Sequence, residues 1–197
     1  IVEVTGETTL AAARRIASSQ ALGEVLCLNF ASAKNPGGGF LSGSQAQEES
    51  LARSSGLYAS ISGQMAMYEY NRRLTTCLYS DHMIYSPHVP VFRDDDGSFL
   101  EEPCLGSFIT APAVNAGAVR RNEPDKVRGI HAAMERRLRR LLWVARQMGH
   151  STIVLGAWGC GVFGNDPADV AALFRLALGP AGTCRNWFER IVYAVYD

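Results

Sequence analysis

The chain has 197 residues, of which 47% are apolar and 19% charged, enough for one domain spanning 1–197 around a single buried core. Nineteen basic residues balance nineteen acidic ones and the isoelectric point is near 7.1, which argues against broad electrostatic capture of a DNA or RNA duplex but not against a local anion site. No apolar run reaches membrane-spanning length and no secretory signal is visible.

Residues 2–5 alternate like a strand, and because the chain opens on it we expect a truncated N-terminus. Thr8 or Thr9 caps a helix running to about Gln20, and residues 24–30 read as a strand. Next come Gly37, Gly38 and Gly39, where the missing Cβ atoms let backbone N–H groups approach a ligand. After a seven-residue spacer, Gln47, Glu48 and Glu49 open a helix, with Ser44 as N-cap and Gln47 at the capping-box position. Both glutamates fall in the first turn, where the helix dipole favours negative charge. An anion-friendly loop therefore runs into a carboxylate-bearing helix start. A plain surface turn before a capped helix accounts for that spacing equally well.

Further along, residues 83–86 read as a short strand, 88–103 as a long Pro-, Asp- and Gly-rich loop, and 107–111 as another strand. Residues 129–148 give the firmest helix, with Ile130, Met134, Leu138, Leu141, Leu142 and Ala145 on one face. Arg136, Arg137, Arg139 and Arg140 occupy the other positions, which read as a solvated face, with polyanion contact as the alternative. Residues 152–157 form a buried strand, Asp166 and Pro167 start a helix that ends near Gly179, and 191–196 close the chain as a strand. Strands alternating with helices make this an α/β protein. Five scattered cysteines without a Cys-x-x-Cys pair (Cys27, Cys77, Cys104, Cys160, Cys184) suit reduced thiols in a cytoplasmic protein. His82, His88, His131 and His150 show no ligand spacing, so no metal or cofactor is expected.

Gly159, Cys160, Gly161, Val162, Phe163 and Gly164 spell G-x-G-x-x-G between a strand and a helix, the setting of a dinucleotide-binding turn. Only 33 residues follow, too few for the rest of a dinucleotide fold, and no acidic ribose ligand stands about 20 residues on. A nicotinamide-dependent oxidoreductase is therefore a distant reading. Backbone amides at a helix start still make a pyrophosphate cradle.

The string Asn35-Pro36-Gly37-Gly38-Gly39 followed by Gln47-Glu48-Glu49 resembles the signature of poly(ADP-ribose) glycohydrolases, closest to the compact bacterial type. The resemblance extends to residues 28–32, 86–95, 111–117 and 156–165, and so covers most of the chain. It implies a macrodomain, a mixed sheet sandwiched by helices. It also implies exo-acting hydrolysis of ribose–ribose bonds, with release of ADP-ribose. It assigns Glu49 as general acid/base and Glu48 as a ribose-hydroxyl binder. The two glycine loops, with Asn35 and Gln47, become substrate contacts, and Phe163 packs on the ligand or, alternatively, in the core. Adjacent glutamates diverge by roughly 100° on a helix, so they cannot flank the bond as a glycosidase pair. Glu49 then needs a pKa raised toward neutrality by desolvation. Asn35 either binds ribose or forms a turn before Pro36, and Glu7 either recognises the adenine amino group or caps a helix. Asn29 stands where other branches of the family are acidic, and Ser32 where some carry Asn. The expected partners are poly(ADP-ribose), ADP-ribose and poly(ADP-ribosyl)ated proteins, the expected state is a monomer, and no membrane is involved. The rival readings are a mono-ADP-ribosyl-protein hydrolase and a non-catalytic ADP-ribose reader.

Overall fold

The computed structural model describes residues 1–18 and 24–196. In chain order these form β1 (Val2–Thr5), α1 (Thr9–Ala17), β2 (Leu26–Phe30), α2 (Gln47–Ser54), α3 (Leu57–Ser62), α4 (Met65–Arg73), β3 (Ile84–Arg93), β4 (Phe99–Ala111), α5 (Ala116–Asn122), α6 (Ile130–Gln147), β5 (Thr152–Gly156), α7 (Pro167–Leu178) and β6 (Arg190–Ala194). Thr8 caps α1 by accepting from the Ala11 N–H, and Ser18 is its C-cap. Positions 19 and 20 of the expected helix lie outside the described residues.

One six-stranded sheet runs in the order β1-β6-β5-β2-β4-β3, parallel throughout except for the antiparallel β3–β4 pair. Alternate residues of the central strands feed two cores. Leu26, Leu28, Ile109, Ile153 and Leu155 pack with α5, α6 and α7. Cys27, Phe108, Val154 and Val192 pack on the other face with α1, α2 and α3. This is the sandwich of a mixed sheet between helices that the motifs implied. All five cysteines are free, and no helix among the described residues is long and apolar enough to cross a membrane.

Two expectations fail for physical reasons. The segment 88–103 is not a loop but most of a hairpin, β3–β4. Pro90 sits on β3, an edge strand that tolerates proline, and Pro103 on the outer part of β4, beyond its pairing with β2. A register shift between Ser86 and Val89, with His88 at φ 51°, bends that edge, and Arg93 lies over the Phe99 ring at 4.5 Å near the tip. The tip reaches back to β1–α1, where Thr8 Oγ1 donates to Asp95 Oδ2 at 2.6 Å. The second failure is Arg137, placed by periodicity on the solvated face of α6 but fully buried. Its guanidinium donates to the carbonyls of Pro112 (2.7 Å) and Leu78 (2.8 Å) and faces Asp81 at 3.4 Å. Burial lowers its pKa to about 10 despite the Asp81 charge, and the side chain pins residues 78–81 to the end of β4.

Candidate active site

Both glycine loops leave the carboxyl ends of neighbouring parallel strands, the first from β2 and the second from β5, the usual place for a ligand in an open α/β sheet. The first loop is shaped by hydrogen bonds from Gly38 N to Asn35 O and from Phe40 N to Gly37 O, both 3.0 Å. Ser32 Oγ accepts from the Asn35 N–H at 3.1 Å, so Asn35 belongs to a turn, and its exposed Oδ1 accepts from Arg72 at 3.4 Å. Gly38 has φ +60°, and a Cβ there would meet Glu49 Oε1 and lie 3.1 Å from Glu48 Oε2. The two carboxylates therefore approach one glycine. The divergence of neighbouring helical positions holds at the Cα atoms but is undone by the long side chains.

Helix α2 begins at Gln47 with Ala46 at the N-cap position and no side-chain cap. Ser44 is not the cap: its N–H instead donates to Gly39 O at 3.1 Å, closing the loop on itself. Gln47 does not form a capping box. Its Oε1 accepts from the Phe30 N–H (2.8 Å), and its Nε2 donates to Leu28 O (2.8 Å) and Thr9 Oγ1 (3.0 Å). These bonds clamp α2 to the end of β2, with both amide hydrogens committed. This clamp fixes the direction of the next two residues.

Glu48 and Glu49 are both buried. Glu48 accepts from the Ser32 N–H at 2.6 Å and from Asn29 Nδ2 at 3.3 Å. Asn29 is fully buried and also donates to Thr110 Oγ1 at 3.1 Å, while its Oδ1 has no partner. Glu49 Oε1 accepts from the Gly39 N–H at 2.8 Å, and its buried Oε2 is unpartnered. Burial pushes the Glu48 carboxyl up to about 8, against the hydrogen bonds it accepts and with the Glu49 charge adding to the rise.

In the second loop, Gly159 has φ +75°, and a Cβ there would strike the Ala113 methyl and Asn165 Nδ2 (2.6 Å). Asn165 donates to Val114 O (2.8 Å) and Gly159 O (3.0 Å), and the Gly117 N–H donates to Phe163 O (2.9 Å). The loop is thus tied to the start of α5. Gly161 and Val162 are exposed, whereas Cys160, Phe163 and Gly164 are half-buried. Phe163 packs against the core, the second of its two expected settings, and also faces Tyr79, with ring centroids 6.0 Å apart. Trp158, just before the loop, is buried and donates from Nε1 to Ala111 O at 3.0 Å.

A cavity of about 540 Å³ opens between α2, the β1–α1 connection and the hairpin tip, with Phe30, Gln47, Ala157 and Tyr196 in its wall. A larger one, about 790 Å³, lies along β1, β6 and α7, away from both glutamates. The smaller is the better candidate, because Gln47, which precedes the carboxylate pair in α2, stands in its wall. Glu7 lines it and is engaged by Arg15 through two 2.8 Å bonds, so it does not cap α1, whose cap is Thr8. Among the described residues no three His, Cys, Asp or Glu side chains gather to hold a metal ion. Sequence reasoning missed Arg137 and gave Asn165 no role. The one signal for Asn165 was its place directly after a glycine of the second loop.

The family described as microbial-type PARG, catalytic domain, matches residues 1–94. The poly(ADP-ribose) glycohydrolase of Thermomonospora curvata bound to the inhibitor ADP-HPD is 54% identical, with a TM-score of 0.95 covering 100% of this chain and 73% of that one. The enzyme of Deinococcus radiodurans in complex with ADP-ribose is 50% identical, with a TM-score of 0.94 over 100% of this chain and 78% of that one. No curated protein matches the chain.

Proposed function

The chain belongs to the microbial-type poly(ADP-ribose) glycohydrolase family, and from that premise we propose that it hydrolyses ribose–ribose O-glycosidic bonds of poly(ADP-ribose), working from the chain end and releasing ADP-ribose. The observation that carries the mechanism is the setting of Glu49. It is buried beside the first loop, with one oxygen held by the Gly39 N–H and the other free of any protein partner. An acid/base group needs that combination, one oxygen to fix its direction and one to face the substrate.

In this reading the diphosphate of ADP-ribose lies between the two glycine loops, received by backbone N–H groups. Phe163 packs on the ribose next to the scissile bond. Glu49 donates a proton to the departing ribose oxygen as the bond from the anomeric carbon breaks. The oxocarbenium-like centre is stabilised by the diphosphate beside it. Glu49, now ionised, takes a proton from the water that attacks that centre. Glu48 orients the ribose through its hydroxyls. With its pKa near 8 it is mostly uncharged at neutral pH, which keeps the buried pair from carrying two negative charges. The chemistry asks nothing of a metal.

The chain acts as one monomeric catalytic domain on poly(ADP-ribosyl)ated proteins, and its five free thiols suit the reducing cytoplasm. The test is release of ADP-ribose from purified poly(ADP-ribose) in the presence of a chelator. Glu49→Gln should lower kcat about 10³-fold while ADP-ribose still binds. Turnover left intact in that variant would remove Glu49 from the mechanism.

A further inference from the structure

Between α4 and β3, residues 77–81 form no helix or strand, yet each of them is fastened. The Cys77 N–H donates to Glu123 Oε1 at 2.6 Å, and Cys77 O accepts from the Asn115 N–H at 3.0 Å. Arg137 donates to the carbonyls of Leu78 (2.8 Å) and Tyr79 (3.3 Å), and the Ser80 N–H donates to Asn71 Oδ1 at 2.8 Å. Asp81 pairs with Arg136 at 2.5 Å and Arg137 at 3.4 Å. Inside this frame Tyr79 has φ +58°. The left-handed region is unfavourable for any residue with a Cβ, and a bulky aromatic there is an outlier. Two other non-glycine residues among those described share it. His88 sits at the β3 register shift, and Asn186 is of a type that accepts this backbone. Neither reason applies to Tyr79. Such a conformation persists only where its surroundings over-determine it, and residues held this way cluster at functional sites.

The Tyr79 ring gives the frame its purpose. Cys77 and Leu78 pack against the core, whereas the half-buried Tyr79 ring faces Phe163 of the second glycine loop, with centroids 6.0 Å apart and planes tilted by 48°. That separation is within the range of an aromatic pair. Both segments are tied to one helix start. Asn115, the N-cap of α5, donates from its N–H to Cys77 O, and the Gly117 N–H donates to Phe163 O at 2.9 Å. On its own loop Phe163 stands between Gly161 and Val162, both exposed, and Gly164 at φ +65°, which give its ring little lateral support. The core takes one side of the ring and Tyr79 another.

We propose that Tyr79 is a positioning residue for the reaction, its ring fixing Phe163 in the orientation that seats the ribose beside the scissile bond. This role rests on the glycohydrolase reading above, in which Phe163 packs on that ribose. The ring of Tyr79 makes the contact, not its hydroxyl, and it acts through Phe163.

The experiment measures kcat and KM for ADP-ribose release from poly(ADP-ribose) by wild type, Tyr79→Gly, Tyr79→Asn, Tyr79→Phe and Phe163→Ala, and by Tyr79→Gly in the Phe163→Ala background. Glycine and asparagine both accept the left-handed backbone, so each removes the ring and leaves residues 77–81 their path. Each should lower kcat roughly tenfold or more with KM within about threefold of wild type, because a slightly displaced ribose still binds but is badly placed for proton transfer. Tyr79→Phe should recover most of the rate. Once Phe163 is alanine, Tyr79→Gly should cost nothing further, since the two rings act as one unit. Losses that multiply in the double variant, an unchanged kcat in both ringless variants, or a Tyr79→Phe as slow as Tyr79→Gly would each overturn this role and leave the glycohydrolase reading standing. A wild type that releases no ADP-ribose overturns both.

Discussion

Glu48→Gln should change how stability depends on pH, by an amount the structure sets. The Glu48 carboxyl is only 3% exposed, and burial raises its pKa from 4.5 to about 8. Between those two values the folded chain holds a proton that the unfolded chain has released. Stability therefore falls as pH rises through this window, and Glu48 contributes no further slope below about 4.5 or above about 8. A shift of this size corresponds to something on the order of 4 kcal/mol. Glutamine removes the titration and can be housed without stranding a donor. Its oxygen can accept from the Ser32 N–H, and its amide can donate to Asn29 if that residue turns its unpartnered Oδ1 toward it. Urea unfolding of both proteins at pH 5 and pH 9 gives the comparison. Acids whose pKa is lowered by arginine or lysine partners, such as Glu3, Glu7 and Glu123, titrate alike in both proteins and cancel in the difference. Wild type should lose on the order of 4 kcal/mol more than the variant across that range. Parallel curves would refute the buried, mostly protonated Glu48.

Gly38→Ala places a Cβ against Glu49 Oε1 at a φ of +60°, so it should lower turnover at least ~10²-fold, by ADP-ribose release, and cost roughly 1 kcal/mol or more of stability, by calorimetry. Arg137→Leu leaves the Leu78 and Pro112 carbonyls without their donor and Asp81 short of one cation. It should cost roughly 3–5 kcal/mol in chemical denaturation. Gly159→Ala drives a methyl into Asn165 and Ala113 and should weaken ADP-ribose binding by titration calorimetry in a protein that still folds.

The sheet was legible because its strands are buried on both faces, and a run such as residues 152–156 admits few other readings. The hairpin was hidden because Pro90 and Pro103 signal loops in the sequence, whereas Pro90 lies on the edge strand β3 and Pro103 on the part of β4 that β2 does not pair. Arg137 was hidden because periodicity assigns a face to a position, and here a cation on the inner face is satisfied by carbonyls that other segments bring to it. The glycine loops could be read because a missing Cβ is a local property that sequence states outright.

The carboxylate pair tests that boundary. Helical spacing correctly turns Glu48 and Glu49 apart at the backbone, yet the site depends on where their oxygens end. Glu48 is drawn to the Ser32 N–H and Glu49 to the Gly39 N–H, on either side of Gly38. Those two donors come from one loop, and that loop faces α2 because Gln47 fastens the helix start to Phe30, Leu28 and Thr9. Gln47 thus sets the angle from which both glutamates reach. Its loss should consequently disturb the pair before it disturbs the ligand.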